Sequence, residues 1–340
     1  MLGIENTYLE AIVRGYKLDL ITDIEYQNFT HCNSEEEFLE QLEDTGYGNM
    51  VAENGAASLR EHCLENMRRE FCYLEHASSG TLKTFLGFIT EHYFIENIIL
   101  VIDALQDGKE ISPVIPLCNP LGAVSTIRAL TAATTLTDIY HIAIEDTPLA
   151  PCFRDILSMC SGGRQDPELI RNRLHNSHLE SFYSFCQTLP AFARDGMEEI
   201  LFFEADRRAV SITLNTIGAD VSAEERRTLY PRIGNLKHLK RELSTCGCSE
   251  ELFSLVENTE NIEDAVAQFR TQSGEFHTLE DFFLQTEMRL CRKTFRRQFS
   301  MAIFYAYFRL KDQEIRNIVW IESCFVQKQK TRAEEYIRVF

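Results

Sequence analysis

Glu204 and Asp206, two carboxylates two residues apart, come nearest in this sequence to a catalytic pair. Two carboxylates can act as general acid and base, and with a bound metal ion they can support hydrolysis. Arg207 and Arg208 follow directly in the chain. Because positive charges lower the pKa of a neighbouring carboxyl and hold it ionised, they suit an ion network better than a proton donor. We therefore predict a structural role for this group.

The stretch 201–218, which carries these residues, has the spacing of a helix that is covered on several sides. Glu204 precedes Arg207 by three residues and Arg208 by four, so the charges can pair along one helix face. Asp206 falls in the middle of the apolar arc. An unpaired buried carboxylate would cost roughly several kcal/mol. We therefore expect Asp206 to accept a hydrogen bond from a donor on a neighbouring helix.

The sequence lacks the short motifs of common catalytic and nucleotide sites: GxxxxGK[ST], HExxH, GxSxG and an Asp-rich DDxxD cluster. The net charge of −18 disfavours nucleic acid and anionic lipid as partners. The 11 cysteines, an odd number without a secretory signal at the start, indicate reduced thiols in the cytosol. The longest aliphatic run, 98–102, is far shorter than the roughly 20 residues that span a bilayer. We expect no cofactor, no metal, no nucleic-acid partner and no membrane span.

A basic run interrupts this acidic chain at Arg289, Arg292, Lys293, Arg296 and Arg297. Such a run can be a solvated helix face or a docking site for an acidic partner surface. The candidate partner contacts in the whole sequence are Tyr47, Arg292, Arg296 and Trp320.

The elements that must position these residues are long helices separated by breaks rich in proline and glycine, near 113–122 and 220–235. No stretch alternates in the way that predicts a strand. The longest helical patterns are 58–76, 81–105, 167–188, 195–218, 278–309 and 311–331. This arrangement predicts an all-α fold.

The helical pattern occurs three times. Thr45, Thr147 and Thr259 end short helices and are 102 and 112 residues apart, and a pair of long helices follows each. The second long helix of each pair carries FIENIILVI, EADRRAVSI or EIRNIVWIE, in which Asn97, Arg208 and Asn317 occupy similar points. We predict three pseudo-symmetric helical lobes, 1–112, 113–222 and 223–340.

Several segments resemble the family of subunit d of the vacuolar-type proton-pumping ATPase, whose archaeal and bacterial relatives are known as C subunits. Their order and spacing agree with the family over nearly the whole chain, and 219–277 departs from it. The matching segments are YLEAIVRGYK (8–17), DTGYGN (44–49), FIENIILVI (94–102), EDTPLA (145–150), LESFYSFC (179–186), FEADRRAVSITLNTIG (203–218) and FYAYFRLKDQEIRNIVWIESC (304–324).

The resemblance implies a funnel-like bundle of three lobes on the cytoplasmic face of a vacuolar or other endomembrane. It implies a non-catalytic subunit of the membrane (V0) sector that couples the rotor stalk to the proteolipid c-ring, with central-stalk subunits D and F and subunit a as further partners. Such a role requires stiffness. Glu204, Asp206, Arg207, Arg208, Arg316 and Asn317 are our candidates for an ion network that fixes helix register.

Two alternatives stay open from the sequence. One is a stand-alone all-helical adaptor with the same fold. The other is a metal-dependent helical enzyme that uses Glu204 and Asp206, although no carboxylate cluster on a second helix supports it.

Overall fold

A computed structural model of the chain describes residues 4–48, 58–159, 167–219, 221–272 and 278–339. In these residues all regular secondary structure is helical and no β-strand occurs. The predicted all-α fold is therefore confirmed for this part of the chain. In chain order its α-helices are α1 Ile4–Leu18, α2 Asp23–His31, α3 Glu35–Glu43, α4 Leu59–Ala77, α5 Gly80–Gln106, α6 Val124–Ala129, α7 Leu136–Ile139, α8 Ala150–Met159, α9 Pro167–Gln187, α10 Ala191–Arg194, α11 Met197–Thr216, α12 Ala223–Leu229, α13 Lys240–Thr245, α14 Ser249–Val256, α15 Ile262–Gln272, α16 Leu279–Thr294 and α17 Ala302–Val326.

Several of these helices begin at residues whose side chains cap the first turn. Ser58, Ser222 and Thr278 each accept a hydrogen bond from the backbone N–H three residues later, and the acidic side chain at that position bonds back. Reciprocal capping satisfies N–H groups that have no partner inside the helix. These starting points are therefore fixed by local sequence.

The chain divides into two compact units by contact. The first contains residues 1–83, 189–200 and 257–340, and the second contains 84–188 and 201–256. This grouping describes which segments pack together, whereas the three lobes describe repetition along the chain. The lobe boundaries at 112–113 and 222–223 stay a prediction.

Helix α17 is the central element of the first unit. Helices α1, α3, α4 and α16 pack against it, so its side chains are buried on several sides. Aromatic pairs join it to its neighbours: Phe308 lies 5.1 Å from Phe71 of α4, and Tyr307 lies 5.7 Å from Tyr16 of α1, between ring centroids. The first unit thus joins segments that are distant in sequence.

The core of the second unit forms around the C-terminal half of α5. Buried isoleucines of this helix, including Ile98 and Ile102, pack with Phe153 of α8 and with Ile170 and Leu174 of α9. Helix α5 is also long and apolar enough to cross a bilayer by length and composition. Its apolar window is 61% buried inside the protein, as expected of a core helix.

The predicted long helices agree with the structure at 195–218 and disagree with it at 278–309. The pattern 195–218 corresponds to helix α11, which begins directly after Gly196, a residue with φ of 88°. The patterns 278–309 and 311–331 are divided at 295–301, between α16 and α17, and not at 310. This break is held by hydrogen bonds with Glu10 and Arg14 of α1, which the local spacing of residues does not reveal.

Candidate functional site

Asp206 holds a distant loop against its own helix, α11, inside the second unit. Its carboxylate accepts hydrogen bonds from the backbone N–H groups of Asn235 (3.1 Å) and Leu236 (2.8 Å), and the residue is 1% exposed. Gly234 comes just before them with φ of 97°, and a Cβ there would lie 2.5 Å from Asp206 Oδ1. The expected donors exist, and they are the first amides of a 3₁₀ turn.

The pKa of Asp206 differs from the expectation. Burial raises this pKa to about 6 from 3.8, and the hydrogen bonds that the carboxylate accepts offset only part of the rise. The prediction that neighbouring arginines lower it is wrong. Both guanidinium groups bind Glu204 instead, at 2.8 Å from Arg207 and 2.7 Å from Arg208. The sequence correctly predicted this pairing of Glu204.

Two buried asparagines have the same role as Asp206 in other parts of the chain. Asn97 of α5 donates from Nδ2 to the carbonyls of Asn119 and Gly122, both at 2.9 Å, and its Oδ1 accepts from the N–H of Asn119 at 2.8 Å. Asn317 of α17 donates to the carbonyl of Ile337 at 2.6 Å and accepts from its N–H at 3.2 Å.

We call Asn97, Asp206 and Asn317 the loop anchors. Each is buried on a long helix and bonds the backbone of a segment that follows that helix. From the sequence we matched Arg208 with the two asparagines, but in the structure Asp206, two residues earlier, has the shared role. Two residues correspond to about half a turn of helix. Arg208 therefore faces Glu204, whereas Asp206 faces the loop.

Two of the three threonines named in the predicted repeat share a turn geometry. The hydroxyl of Thr45 donates to the carbonyl three residues before it at 2.6 Å and accepts from the N–H two residues after it at 3.3 Å. Thr147 makes the same two bonds at 2.8 and 3.3 Å. These threonines close their turns in the same way, about a hundred residues apart in the sequence.

A network of charged and polar side chains continues from Glu204 through the second unit. His175 of α9 is 2% exposed, and its Nε2 lies 2.6 Å from Glu96 Oε1 on α5. Arg171, one turn earlier on α9, lies 3.3 Å from Glu96. The charge of Arg208 also acts on Glu96 and His175. The network therefore reaches three helices of this unit.

The groups of this network hold unusual protonation states. Burial, together with the charge of Arg208, lowers the pKa of His175 to about 4 from 6.5, against the opposing effect of Glu96. Burial alone would raise the pKa of Glu96, but the hydrogen bond and charge of His175, helped by His92 and Arg171, hold that pKa below its ordinary value. At neutral pH a neutral imidazole therefore lies against an ionised carboxylate.

The other two residues of the predicted network, Arg316 and Asn317, belong to the first unit. Arg316 is 54% exposed in its side chain and lies 2.9 Å from Asp312 on the same helix. Asp312 also lies 3.7 Å from Arg309, whose guanidinium contacts both carboxylate oxygens of Glu287 on α16 at 2.7 and 3.0 Å. The Arg309–Glu287 pair thus fixes the register of α17 against α16, and Arg316 lies at its margin.

Tyr47, a candidate partner contact, is buried within the first unit and presents no surface there. Its hydroxyl donates to Glu314 Oε1 at 2.6 Å, and it is 0% exposed. Glu314 also accepts from the N–H of Ile21 at 2.6 Å and from Lys311 Nζ at 3.1 Å. Three donors compensate this buried carboxylate. The structure therefore corrects the assignment of Tyr47 from a surface contact to a part of the core.

Trp320 lies half-buried on α17 and binds the C-terminal segment of the first unit. Its indole N–H donates to the carbonyl of Arg332 at 3.1 Å, and the guanidinium of Arg332 lies 5.0 Å from the ring centroid. Nearby, Tyr336 stacks on Tyr26 at 4.7 Å. The predicted partner contact at Trp320 stays a prediction.

The basic run is partly neutralised within the first unit. Arg289 lies 3.2 Å from Asp264, and Lys293 lies 2.7 Å from Glu199. Arg297 lies 2.6 Å from Asp195. The two remaining members, which the sequence had named as partner contacts, form no salt bridge with any described residue; they are Arg292 and Arg296.

Within the residues that the structure describes, no group of three or more His, Cys, Asp or Glu side chains is placed to hold a metal ion. The carboxylates of Glu204 and Asp206, proposed for a metal enzyme, are instead occupied by arginine and by backbone N–H groups.

Sequence reasoning missed the Glu96–His175 pair and the buried Lys311–Glu314 pair. One signal was available for Glu96, because it interrupts the strongly apolar helix α5. It does not say which distant partner this residue meets.

Comparison with known proteins identifies relatives along the whole chain. The family described as ATP synthase (C/AC39) subunit matches residues 9–336. The chain is 34% identical to V-type proton ATPase subunit d of Saccharomyces cerevisiae, covering 99% of this chain and 98% of that protein. It is 35% identical to the subunit d of Neurospora crassa over 100% and 99% of the two chains. The C subunit of the A-type ATP synthase of a Desulfurococcus species is 22% identical over 68% of this chain and 62% of its own length.

Proposed function

The chain belongs to the subunit d family of V-type proton ATPases, non-catalytic subunits of the membrane sector, and we propose that it transmits rotation there from the central stalk to the ring of proteolipid subunits. The observation that carries the proposal is similarity over nearly the full length of both chains. A shared core alone would leave part of either chain unmatched.

The partners in this proposal are the proteolipid c-ring, the central-stalk subunits D and F, and subunit a. The location is the cytoplasmic face of a vacuolar or other endomembrane. The acidic net charge of the chain supports binding to protein subunits of the membrane sector rather than adsorption to anionic lipid.

A protein that transmits torque must resist shear between its helices, and the buried polar contacts supply directional resistance of this kind. An apolar helix face can slide by small steps at little cost, whereas a buried hydrogen bond is lost when its partners move apart. The loop anchors and the Arg309–Glu287 pair fix register at several places within the two units.

An affinity pull-down in mild detergent tests the proposal. The tagged full chain is expressed with the ATPase of its source, and every co-purifying protein is identified. We expect proteins of the c-ring and the central stalk, together with subunit a, in constant ratio to the chain. Recovery of the chain alone, or with unrelated proteins, would favour the stand-alone adaptor.

A thermal-shift screen addresses the enzyme alternative with the same protein. A metal or nucleotide bound to the folded chain would raise its melting temperature as the ligand concentration rises. We expect no shift with divalent cations. A saturable shift that Glu204→Gln abolishes would support the metal enzyme.

A further inference from the structure

Phe299 lies in the loop 295–301 of the first unit with a backbone conformation that is unfavourable for a bulky side chain. Its φ is 60°, in the left-handed region, and 48% of the residue is exposed. An aromatic residue in this region is a genuine outlier, and such outliers concentrate at functional sites. Here the conformation does not bury the ring, so core packing does not account for it.

Helix α1 holds this loop in place. The carboxylate of Glu10 accepts from the N–H of Phe299 at 3.0 Å, and Arg14 donates to the carbonyl of Phe295 at 2.7 Å. Glu10 and Arg14 are themselves paired at 2.7 Å. The backbone is therefore fixed by charged groups while the aromatic ring points away from the core.

A second exposed phenylalanine lies on the segment that packs against this loop. Phe192 is 46% exposed. Its neighbour Ala193 accepts a hydrogen bond from the N–H of Met301 at 2.8 Å, and the carbonyl of Asp195 accepts one from the hydroxyl of Ser300 at 2.5 Å. Two exposed aromatic residues are thus presented by two segments that are bonded to each other.

Two arginines belong to the loop and to the helix turn that leads into it. Arg292 lies in the last turn of α16, where the charge of Asp23 acts on it, and Arg296 lies within the loop; neither forms a salt bridge with a described residue. Lys17 of α1 lies over the ring of Phe295 at 5.5 Å, and burial together with the charge of Arg292 lowers the pKa of Lys17. Leu18, the next residue, is 81% exposed. Basic residues and exposed apolar residues are therefore concentrated in and next to one loop of a chain whose net charge is −18.

We propose that this surface docks an acidic, apolar-bearing segment of another protein of the pump, with the apolar side chains against Phe192 and Phe299 and the carboxylates against Arg292 and Arg296. We call these four residues the aromatic–basic face. The proposal rests on the proposed function, because it takes the occupant from the same complex. Complementary charge selects an acidic partner, and exposed aromatic and arginine residues are the types that dominate protein interfaces.

Photo-crosslinking in the assembled complex tests the face directly. A benzophenone amino acid replaces Phe299 in the tagged full chain, and a matched variant carries it at Tyr73, which is 44% exposed in the same unit. We expect the Phe299 probe to form an adduct with an acidic segment of another protein of the ATPase. Adducts with phospholipid, with a second copy of this chain or with no protein would overturn the proposal.

Substitutions separate docking from folding. Phe299→Gly removes the ring and suits a positive φ, so the melting temperature of the free chain should stay the same or rise while recovery of the complex falls at least tenfold at limiting concentration. Arg292→Glu with Arg296→Glu should cause a similar loss. The matched control is Lys237→Glu with Arg241→Glu, which changes the charge equally at two exposed positions and should leave recovery unchanged.

The outcomes distinguish this proposal from the proposed function. If the wild-type chain recovers no ATPase proteins, the proposed function itself fails. If wild type and the Phe299→Gly variant recover the complex equally, the chain is part of the pump and the aromatic–basic face is not its docking surface.

Discussion

Asp206 shows how one buried carboxylate can decide the position of a loop. Its two oxygens receive two backbone N–H groups that otherwise have no partner at the start of a 3₁₀ turn. The arrangement resembles a helix N-cap made by a residue from another element. The carboxylate of Asp206 therefore has a structural role, whereas the neighbouring Glu204 pairs with Arg207 and Arg208.

Asp206→Ala should destabilise the second unit by about 3 kcal/mol, because it leaves two N–H groups in the interior without acceptors. Chemical denaturation followed by circular dichroism measures the change. Asp155→Ala, at an exposed aspartate of the same unit, is the control and should change stability by less than about 0.5 kcal/mol. Equal stability of the two variants would contradict the anchoring role.

Lowering the pH should change the free energy of unfolding of this unit through two residues, and their effects have opposite signs. The pKa of Asp206 is raised to about 6 from 3.8, so its contribution is present at low pH and is lost as pH rises through 6. The pKa of His175 is lowered to about 4 from 6.5, so its contribution is present above 6.5 and is lost as pH falls towards 4. The two effects oppose each other between pH 4 and 6.

Single substitutions should separate these effects. When the pH falls from 7 to 5, the free energy of unfolding of His175→Gln should decrease by about 2 kcal/mol less than that of wild type. The free energy of unfolding of Asp206→Asn should decrease by about 1 kcal/mol more than that of wild type over the same interval. Urea unfolding at the two pH values provides the measurement, and the difference between pH values cancels any constant cost of each substitution. Parallel pH profiles for the three proteins would refute the assignment.

At the scale of elements, the anchored loops depend on close approach of backbone to a long helix. A Cβ at Gly122 would lie 2.3 Å from Asn97 Nδ2 and 2.5 Å from the carbonyl oxygen of Tyr93. Gly234 meets Asp206 in the same way. Glycine is thus required at the loop because the helix presents its anchor there.

Gly122→Ala should therefore destabilise the chain by about 2 kcal/mol, as expected for overpacking. Gly87 provides the control because it lies on the exposed face of α5, the helix that carries Asn97, and a Cβ there meets nothing within 4 Å. Gly87→Ala should stabilise the chain by about 0.5–1 kcal/mol through helix propensity. Thermal unfolding of the two variants gives the comparison, and a shift of the same sign in both would count against the anchored loop.

Elements with a local cause could be predicted from the sequence. The patterns 58–76 and 81–105 correspond to helices Leu59–Ala77 and Gly80–Gln106. A capping box at Ser58 specifies the start of the first helix, and a long, mostly apolar segment specifies the second. The pairing of Glu204 with its arginines is equally local. The break at 295–301 could not be predicted, because Glu10 and Arg14 of a distant helix hold it. The loop anchors were visible as polar interruptions, without their partners.

At the scale of the whole molecule, the first unit is built from segments near both ends of the sequence. Helices α1, α3 and α4 pack on α17, which follows them by more than two hundred residues. Glu314 of α17 receives the N–H of Ile21 and the hydroxyl of Tyr47. The core of the second unit, in contrast, comes from a nearly continuous part of the chain.

This difference predicts how fragments behave. A fragment of residues 84–256 should retain helical structure and unfold cooperatively, since its anchors Asn97 and Asp206 keep their partners. Residues 1–83 alone should be largely unfolded, because their apolar faces lack α17 and short isolated helices are marginal in water. Far-ultraviolet circular dichroism of the purified fragments measures both.

Co-expression of 1–83 with 257–340 completes the test. Supplying α17 in trans should restore helix content to the first fragment and allow the two pieces to be purified together, since burial of the shared core drives their association. Glu314→Ala in the second piece should weaken this association by removing the acceptor of two donors from the first piece. Cooperative folding of 1–83 on its own would show that its core is local and that α17 covers a unit already formed.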